Sequence, residues 1–332
     1  MSRVIVLSGG ESTEYEVSLA SGAEVAESLA ARHDVLPVRI DRSGGWHPDD
    51  QPDAMSPHDV LDGLHPEDVV FPVLHGGWGE DGGLQSVLEE RGIRFVGCGS
   101  AACRIGMSKL ATARVSAQRG VRTIPVRVLH REEFRAEPDV LTASLARAAE
   151  WPLIVKPDEG GSSIGVSLVS SRVELRRALD EAFQLDATVL LQPLVSGAEV
   201  SIGVWTDADG QVRVTGGSLV HLPDEPGTFF TYDHKYSGAG GWLEIPAAFP
   251  PDALAALQDA ARKVALAVGA EAVARVDFFL TDQGVVLNEI NTMPGLRRHS
   301  HFPRLVADTG TGYDDLLDAL VGRALRGQWT PR

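Results

Sequence analysis

Cysteine is nearly missing from this chain: the two present among 332 residues, Cys98 and Cys103, lie among small residues with no paired ligand motif. That argues against a disulfide framework or a thiolate metal centre, and both thiols are expected to be small buried groups. A basic excess is missing too. The formal net charge of −16 opposes nonspecific binding to nucleic acid, where Lys and Arg must neutralise phosphates, although a local basic pocket could still take a small anion. No apolar run approaches membrane-spanning length, and Met1 leads straight into the strand-like Arg3-Val4-Ile5-Val6-Leu7 without a signal-peptide pattern. A cytoplasmic protein is expected, with neither membrane nor nucleic acid as a partner. Low-complexity tracts and internal repeats are absent as well. What is there is 43% hydrophobic and 23% charged, the composition of a soluble globular protein, over a length that implies two or three domains.

The most informative stretch lies near the C-terminus, where Arg275-Val276-Asp277 and Asn288-Glu289-Ile290-Asn291 flank the turn signal Asp282-Gln283-Gly284. A hairpin closed by a three-residue loop, with Gly284 at the left-handed position, pairs symmetrically about Gln283. Asp277 then faces Glu289 and Arg275 faces Asn291, and strand alternation puts all four on one face. Two opposed carboxylates repel unless something positive lies between them. Hard oxygen ligands beside an arginine suit magnesium carrying phosphates.

The first hundred residues alternate strand-like and helix-like patterns: Arg3 to Leu7, Ser18 to Arg32, Val35 to Ile40, Val69 to Leu74, Leu84 to Arg91, Ile93 to Val96. That order predicts a parallel sheet with covering helices. Gly9-Gly10 lacks the dinucleotide spacing, and Glu11 and Glu14 would repel a pyrophosphate, which excludes a Rossmann cofactor site. Glu16, just before an expected helix cap at Ser18, could bind a substrate ammonium or simply favour the positive helix end. The glycine-rich run His75 to Gly82 reads as a strand-end loop near a site or as a plain connection.

A second unit begins near Ser108, which caps a helix containing Lys109, and continues through strand-like Ile124 to Leu129. At its centre, Pro152 to Val169 reads strand, glycine-rich loop, strand, with Lys156 before the glycines and Ser162-Ser163 among them. A Walker loop would put its lysine after the glycines and lead into a helix, so this is a hairpin flap whose N–H groups, hydroxyls and Lys156 can contact phosphate. A helix from Val173 to Leu185 follows. The segment Thr188 to Glu199, with Gln192, Leu194 and Val195 around Pro193, reads as a strand running into an interdomain hinge. Backbone groups there could pair with adenine and Glu199 could accept from ribose, or the segment is only a connection. Gly227 to Gly238, aromatic and glycine-rich around Lys235-Tyr236, looks like a lid.

Together these segments resemble the ATP-grasp superfamily, and more narrowly the D-alanine-D-alanine ligases, in order across nearly the whole chain. The likeness rests on Gly9-Gly10 through Glu16-Val17-Ser18-Leu19, His75-Gly76 with Gly79-Glu80-Asp81-Gly82, Lys156-Pro157, Gly161-Ser162-Ser163-Ile164-Gly165, Lys235-Tyr236, Arg275-Val276-Asp277, Asn288 to Gly295, and Ser300. It implies an ATP-grasp fold of three α/β domains, a parallel-sheet domain over 1–107 and two domains, 108–195 and 196–332, that clasp ATP. The implied reaction phosphorylates one D-alanine carboxylate and lets the amine of a second D-alanine attack the acyl phosphate. A related ligase making another dipeptide or a depsipeptide, and a noncatalytic nucleotide-binding regulator, are the alternatives.

By the same resemblance Asp277, Glu289 and Asn291 hold two magnesium ions, for which manganese could substitute. Lys109 and Lys156 bind ATP phosphates, Ser163 lies beneath the flap, and Arg275 with the Gly295 N–H stabilises the oxyanion. Glu16 binds the first ammonium, aided by Ser162 and Tyr236, while Lys235 and Ser300 reach carboxylate or phosphate oxygens and His75 lies in the substrate site. Three features depart from the pattern. Gln192-Pro193 stands where Glu-Lys is frequent, which shifts nucleotide contacts to the backbone and Glu199. Arg297 and Arg298 stand where small hydroxyl residues are usual, and His301 where an apolar residue often borders the second substrate. A guanidinium is costly to bury alone, so these arginines meet either solvent or an acid. Small apolar faces could support a homodimer.

Overall fold

The computed structural model describes residues 3–221, 242–270 and 272–326. Three sheets organise them. The first is built from β1 (Arg3–Gly9), α1 (Tyr15–Leu29), β2 (Asp34–Ile40), β3 (Trp46–Pro48), α2 (Pro57–Asp62), β4 (Val69–Pro72), α3 (Gly83–Glu90) and β5 (Arg94–Phe95). Its strand order is β3-β2-β1-β4-β5. The β1, β2, β4 and β5 pairings are parallel, as the alternation of elements predicts, and β3 adds an antiparallel edge. Strand β1 is apolar on consecutive positions because both its faces are covered. Val4 and Val6 pack with Val25 of α1, and Ile5 and Leu7 pack with Leu84 and Leu88 of α3.

Helix α1 starts at Tyr15, so Ser18 is not its cap. The buried Ser18 hydroxyl instead accepts from the Gly9 N–H at 2.8 Å and donates to the Val73 carbonyl at 2.6 Å. It ties together the ends of two neighbouring parallel strands, whose last backbone groups would otherwise be unpaired.

Helices α4 (Ser100–Met107) and α5 (Lys109–Ala117) lead to the second sheet. Ser108 caps α5 as expected, accepting from the Ala111 N–H at 3.0 Å. This sheet comprises β6 (Arg127–His130), β7 (Leu153–Pro157), β8 (Ser167–Val169) and β9 (Thr188–Pro193), with α6 (Arg131–Ala136), α7 (Pro138–Arg147) and α8 (Arg172–Leu185). Its order is β6-β9-β7-β8, antiparallel throughout. Val155, Val189 and Leu191 pack on Leu175, Leu179 and Phe183 of α8. Pro193 is the last residue of β9, at the point where a missing N–H costs no ladder bond.

The third sheet, order β12-β11-β10-β13-β14, contains β10 (Ala198–Thr206), β11 (Val212–His221), β12 (Trp242–Glu244), β13 (Val273–Thr281) and β14 (Gly284–Asn291). Helix α9 (Pro251–Val268) covers one face, and α10 (His301–Asp308) and α11 (Tyr313–Leu325) follow β14. Helices also cross between layers. Helix α5 lies against α9 and β14 of the third sheet, whereas Leu316, Leu317 and Leu320 of α11 return to the Val4 and Val6 face of the first. Cys98 and Cys103 are buried beside α9, and the Cys98 thiol donates to the Val273 carbonyl at 3.2 Å.

In the β13–β14 hairpin, Asp277 pairs with Glu289 and Arg275 with Asn291. These are the expected rungs, reached by a different turn. Thr281 pairs directly with Gly284, which leaves a two-residue loop, and a β-bulge between the Phe278–Leu287 and Asp277–Glu289 rungs restores the register by inserting Asn288. Gly284 has φ +106°, as a turn glycine should.

Candidate active site

Two cavities of about 390 and 500 Å³ meet between the three sheets, and Lys109, Arg275, Glu289 and His301 line both. The first lies between the second and third sheets. Gln192 and Glu199, at the facing ends of β9 and β10, line it with Leu194 and Val195 of the segment between those strands, as do Lys156, Ser163 and Asp277. Around the second, Glu14 and His75 come from loops of the first sheet, Ser162 from the flap, and Asn291, Gly295, Arg297 and Ser300 from β14 and the turn beyond it. Ser162 and Ser163 both adopt left-handed backbone, φ 53° and 59°. That kink sends adjacent serines to different cavities where a regular strand would only alternate faces.

Glu16 is corrected. Among the described candidate residues it alone lines neither cavity: its side chain is 77% exposed and pairs with Arg42 at 3.3 Å. With α1 beginning at Tyr15, positions 14 and 16 are separated by roughly 200° about the helix axis. Glu14 therefore turns inward, and its Oε1 accepts from the Ser162 hydroxyl at 3.0 Å. Sequence reading missed Glu14 because it placed the helix start too late. Lys235 and Tyr236 fall outside the described residues.

Charge is concentrated where the cavities join. Arg275 clasps the Asp277 carboxylate with Nε at 2.9 Å and Nη2 at 2.8 Å. Burial works to raise this carboxyl, but the Arg275 charge and hydrogen bonds, helped by the Ser201 hydroxyl, outweigh it and hold it at about 2. Glu289 lies 4.0 Å from the Lys109 ammonium, which also donates to the Gly160 carbonyl at 2.7 Å. Asn291 Oδ1 accepts from the Met293 N–H at 3.1 Å. Asp277, Glu289 and Asn291 thus sit on neighbouring rungs of one hairpin, Asp277 lining the first cavity, Asn291 the second and Glu289 both. An all-oxygen donor set of this kind fits a hard divalent cation.

Lys156 is 6% exposed and approaches the Asn288 amide oxygen at 3.5 Å. Burial, then repulsion from Lys109, pulls its ammonium down to about 8. Below that pH the charged form is penalised in the folded protein; the penalty is relieved as pH rises from 8 toward the ordinary lysine value. The phosphate contact expected of this lysine from the sequence would run the other way, because it needs the ammonium. The dissociation constant for MgADP is expected to rise by nearly tenfold per pH unit above about 8. Calorimetric titrations from pH 7 to 9.5 check this, and a flat profile would remove Lys156 from the phosphate contacts.

His75 is buried, with Nδ1 3.5 Å from Glu80 Oε1 and, among the described residues, no hydrogen-bond partner at Nε2. Burial alone would lower its pKa; the Glu80 hydrogen bond and charge, with the Glu14 charge, reverse the sign and raise it. In the imidazolium form that these carboxylates favour, Nε2 is a donor at the cavity wall. Ser300 precedes α10, but its hydroxyl makes no cap to that helix, and it lies beside Gly295 on the same wall.

The profile described as D-ala D-ala ligase C-terminus matches residues 115–322, and the one described as D-ala D-ala ligase N-terminus matches 3–63 and 57–98. The D-alanine–D-alanine ligase of Corynebacterium jeikeium is 36% identical, over 97% of this chain and 96% of that protein. The chain belongs to the D-alanine–D-alanine ligase family. Among solved structures, the VanG D-Ala:D-Ser ligase from Enterococcus faecalis superimposes with TM-score 0.81 at 30% identity, covering 97% of this chain and 99% of that one. The D-alanine-D-alanine ligase from Coxiella burnetii gives 0.81 at 27%, covering 99% and 95%. The fold is ATP-grasp.

Against that family's pattern the two unusual arginines find acids on the protein itself. Arg297 Nε donates to Glu24 at 2.9 Å, and Arg298 donates to Asp314 at 3.0 Å while stacking 4.4 Å from the Tyr313 ring centre. Both are about half exposed. His301 lines both cavities, and its Nε2 lies 2.5 Å from the hydroxyl of Ser218, which is fully buried and lines neither.

Proposed function

We propose that this ATP-grasp ligase joins two D-alanines for peptidoglycan precursor synthesis. The observation that carries the reading is the meeting of a hinge-bounded cavity and a Glu14–His75 cavity at one wall of Lys109, Arg275 and Glu289. ATP occupies the first, with adenine against backbone groups of Gln192, Leu194 and Val195, ribose at Glu199, and phosphates at Lys109, Lys156 and Ser163. Asp277, Glu289 and Asn291 would hold Mg²⁺, as two ions, and Mn²⁺ suits the same oxygens. Bound there, the metal neutralises phosphate charge.

Glu14 holds the ammonium of the first D-alanine, with Ser162, and His75 Nε2 donates to its carboxylate. A carboxylate oxygen attacks the γ-phosphorus, the bond to the ADP oxygen breaks, and an acyl phosphate forms. The amine of the second amino acid then attacks the acyl carbon, loses a proton, and inorganic phosphate leaves as the amide closes. Arg275 and the Gly295 N–H face the oxyanion, and Ser300 steadies substrate oxygens. No protein nucleophile is needed; rate comes from positioning and electrostatics.

The His301–Ser218 pair supports a second reading, in which the acceptor carries a polar side chain. Incubation with ATP, Mg²⁺ and a panel of D- and L-amino acids, with products weighed by mass spectrometry, tests both. A D-alanine dimer in at least tenfold excess is expected. A different condensate would move the assignment to the second reading, and no ADP with any acceptor would overturn both.

A further inference from the structure

We infer that Asp158 is a positioning residue for nucleotide binding: it fixes Lys109 against the flap by clamping the start of α5 to the end of β7. The inference rests on the nucleotide reading of the first cavity. Asp158 follows β7 directly and is 7% exposed, a position where an ionised carboxylate must be fully hydrogen-bonded. Its oxygens go to two partners on one helix end: Ser108 Oγ donates at 2.6 Å and the Leu110 N–H at 2.7 Å.

Its backbone serves the same junction. The Asp158 N–H donates to the Thr188 carbonyl of β9 at 3.0 Å, and its carbonyl accepts from the Lys109 N–H at 3.2 Å and from Lys109 Nζ at 3.4 Å. Every polar atom of the residue is thus committed, on one side to the second sheet and on the other to α5. Helix α5 packs on α9 and β14 of the third sheet. The clamp therefore spans the two layers that enclose the first cavity, and Lys109 projects from it to Gly160 of the flap and toward Glu289.

A carboxylate at a helix start stabilises that helix in any protein. The positional claim is narrower: Lys109 lines both cavities, but losing the clamp should displace it from the nucleotide side while the Glu14 and His75 contacts proposed for the first D-alanine, which Asp158 does not touch, stay in place. In Asp158→Ala the Leu110 N–H is left buried without its acceptor, and α5 can swing from β7. MgADP is expected to bind about tenfold more weakly by calorimetry, with the KM for D-alanine within about twofold of wild type. Asp158→Asn keeps an acceptor for Leu110 and an amide for the Ser108 oxygen, and should return MgADP affinity to within about threefold.

Ser108→Ala removes one of the two bonds and serves if Asp158→Ala does not fold; about threefold weaker MgADP is expected. Nucleotide affinity within twofold of wild type in either folded variant would overturn the clamp. So would a parallel loss of nucleotide and D-alanine affinity, which a merely structural role produces. A wild-type chain that binds no MgADP would instead strike at the proposed function.

Discussion

Glu289→Gln should abolish turnover while leaving the fold intact. The amide is nearly isosteric, and Glu289 is partly exposed with the Lys109 ammonium 4.0 Å away, so the native state has little to lose. What it removes is a full negative charge from the wall where phosphoryl transfer is proposed. Two carboxylates on opposed rungs are tolerable only with positive charge between them. At present Asp277 is satisfied by Arg275 and Glu289 faces Lys109; with the cation bound, both would contribute to holding it. A drop in kcat on the order of 10³-fold corresponds to about 4 kcal/mol of lost transition-state stabilisation. The measurement is steady-state ADP release at saturating ATP, with the thermal midpoint recorded beside it. Near-normal turnover would show that the metal is held elsewhere.

A second large effect separates two glutamates two residues apart. Glu14→Gln should raise the KM for the first D-alanine on the order of 10²-fold, about 2.7 kcal/mol, because the amide can still accept from Ser162 but no longer offers charge to an ammonium. Glu16→Gln should stay within about twofold of wild type, since among the described residues it pairs with a surface arginine and lines neither cavity. Initial rates against D-alanine concentration for both variants decide it. The reverse outcome would return the ammonium to Glu16 and put the observed phase of α1 in doubt.

The contrast between these residues shows where reading the chain succeeds and where it stops. Strand period is an integer, so once Asp282-Gln283-Gly284 marked the turn, Asp277 had to come near Glu289 and Arg275 near Asn291 on one face. Even a wrong loop length did no harm, because the bulge at Asn288 compensates it. Helical phase is less forgiving: an error of a few residues in the start of α1 turns the carboxylate from the cavity to solvent. Ser18 caused that error, being a good cap by type but recruited to join Gly9 and Val73.

Other features needed contacts between distant segments. Asp158 reads as one more polar residue in a glycine-rich loop until Ser108 and Leu110, about fifty positions earlier, are seen on its oxygens. The crossing of α5 to the third sheet and of α11 to the first is likewise invisible along the chain. Arg297 and Arg298 posed a choice between solvent and an acid, and both answers hold at once.

Short-range pattern was enough for the α/β class, the strand–glycine loop–strand around Lys156 and the hairpin rungs, because alternation and turn chemistry are local properties; the family came from the resemblance of its motifs. Which glutamate faces the cavity, which serine of the flap serves which side, and what holds Lys109 in place were fixed by packing. Those depend on distances between residues up to 148 positions apart, and no local pattern encodes a distance between segments that meet only when the layers close.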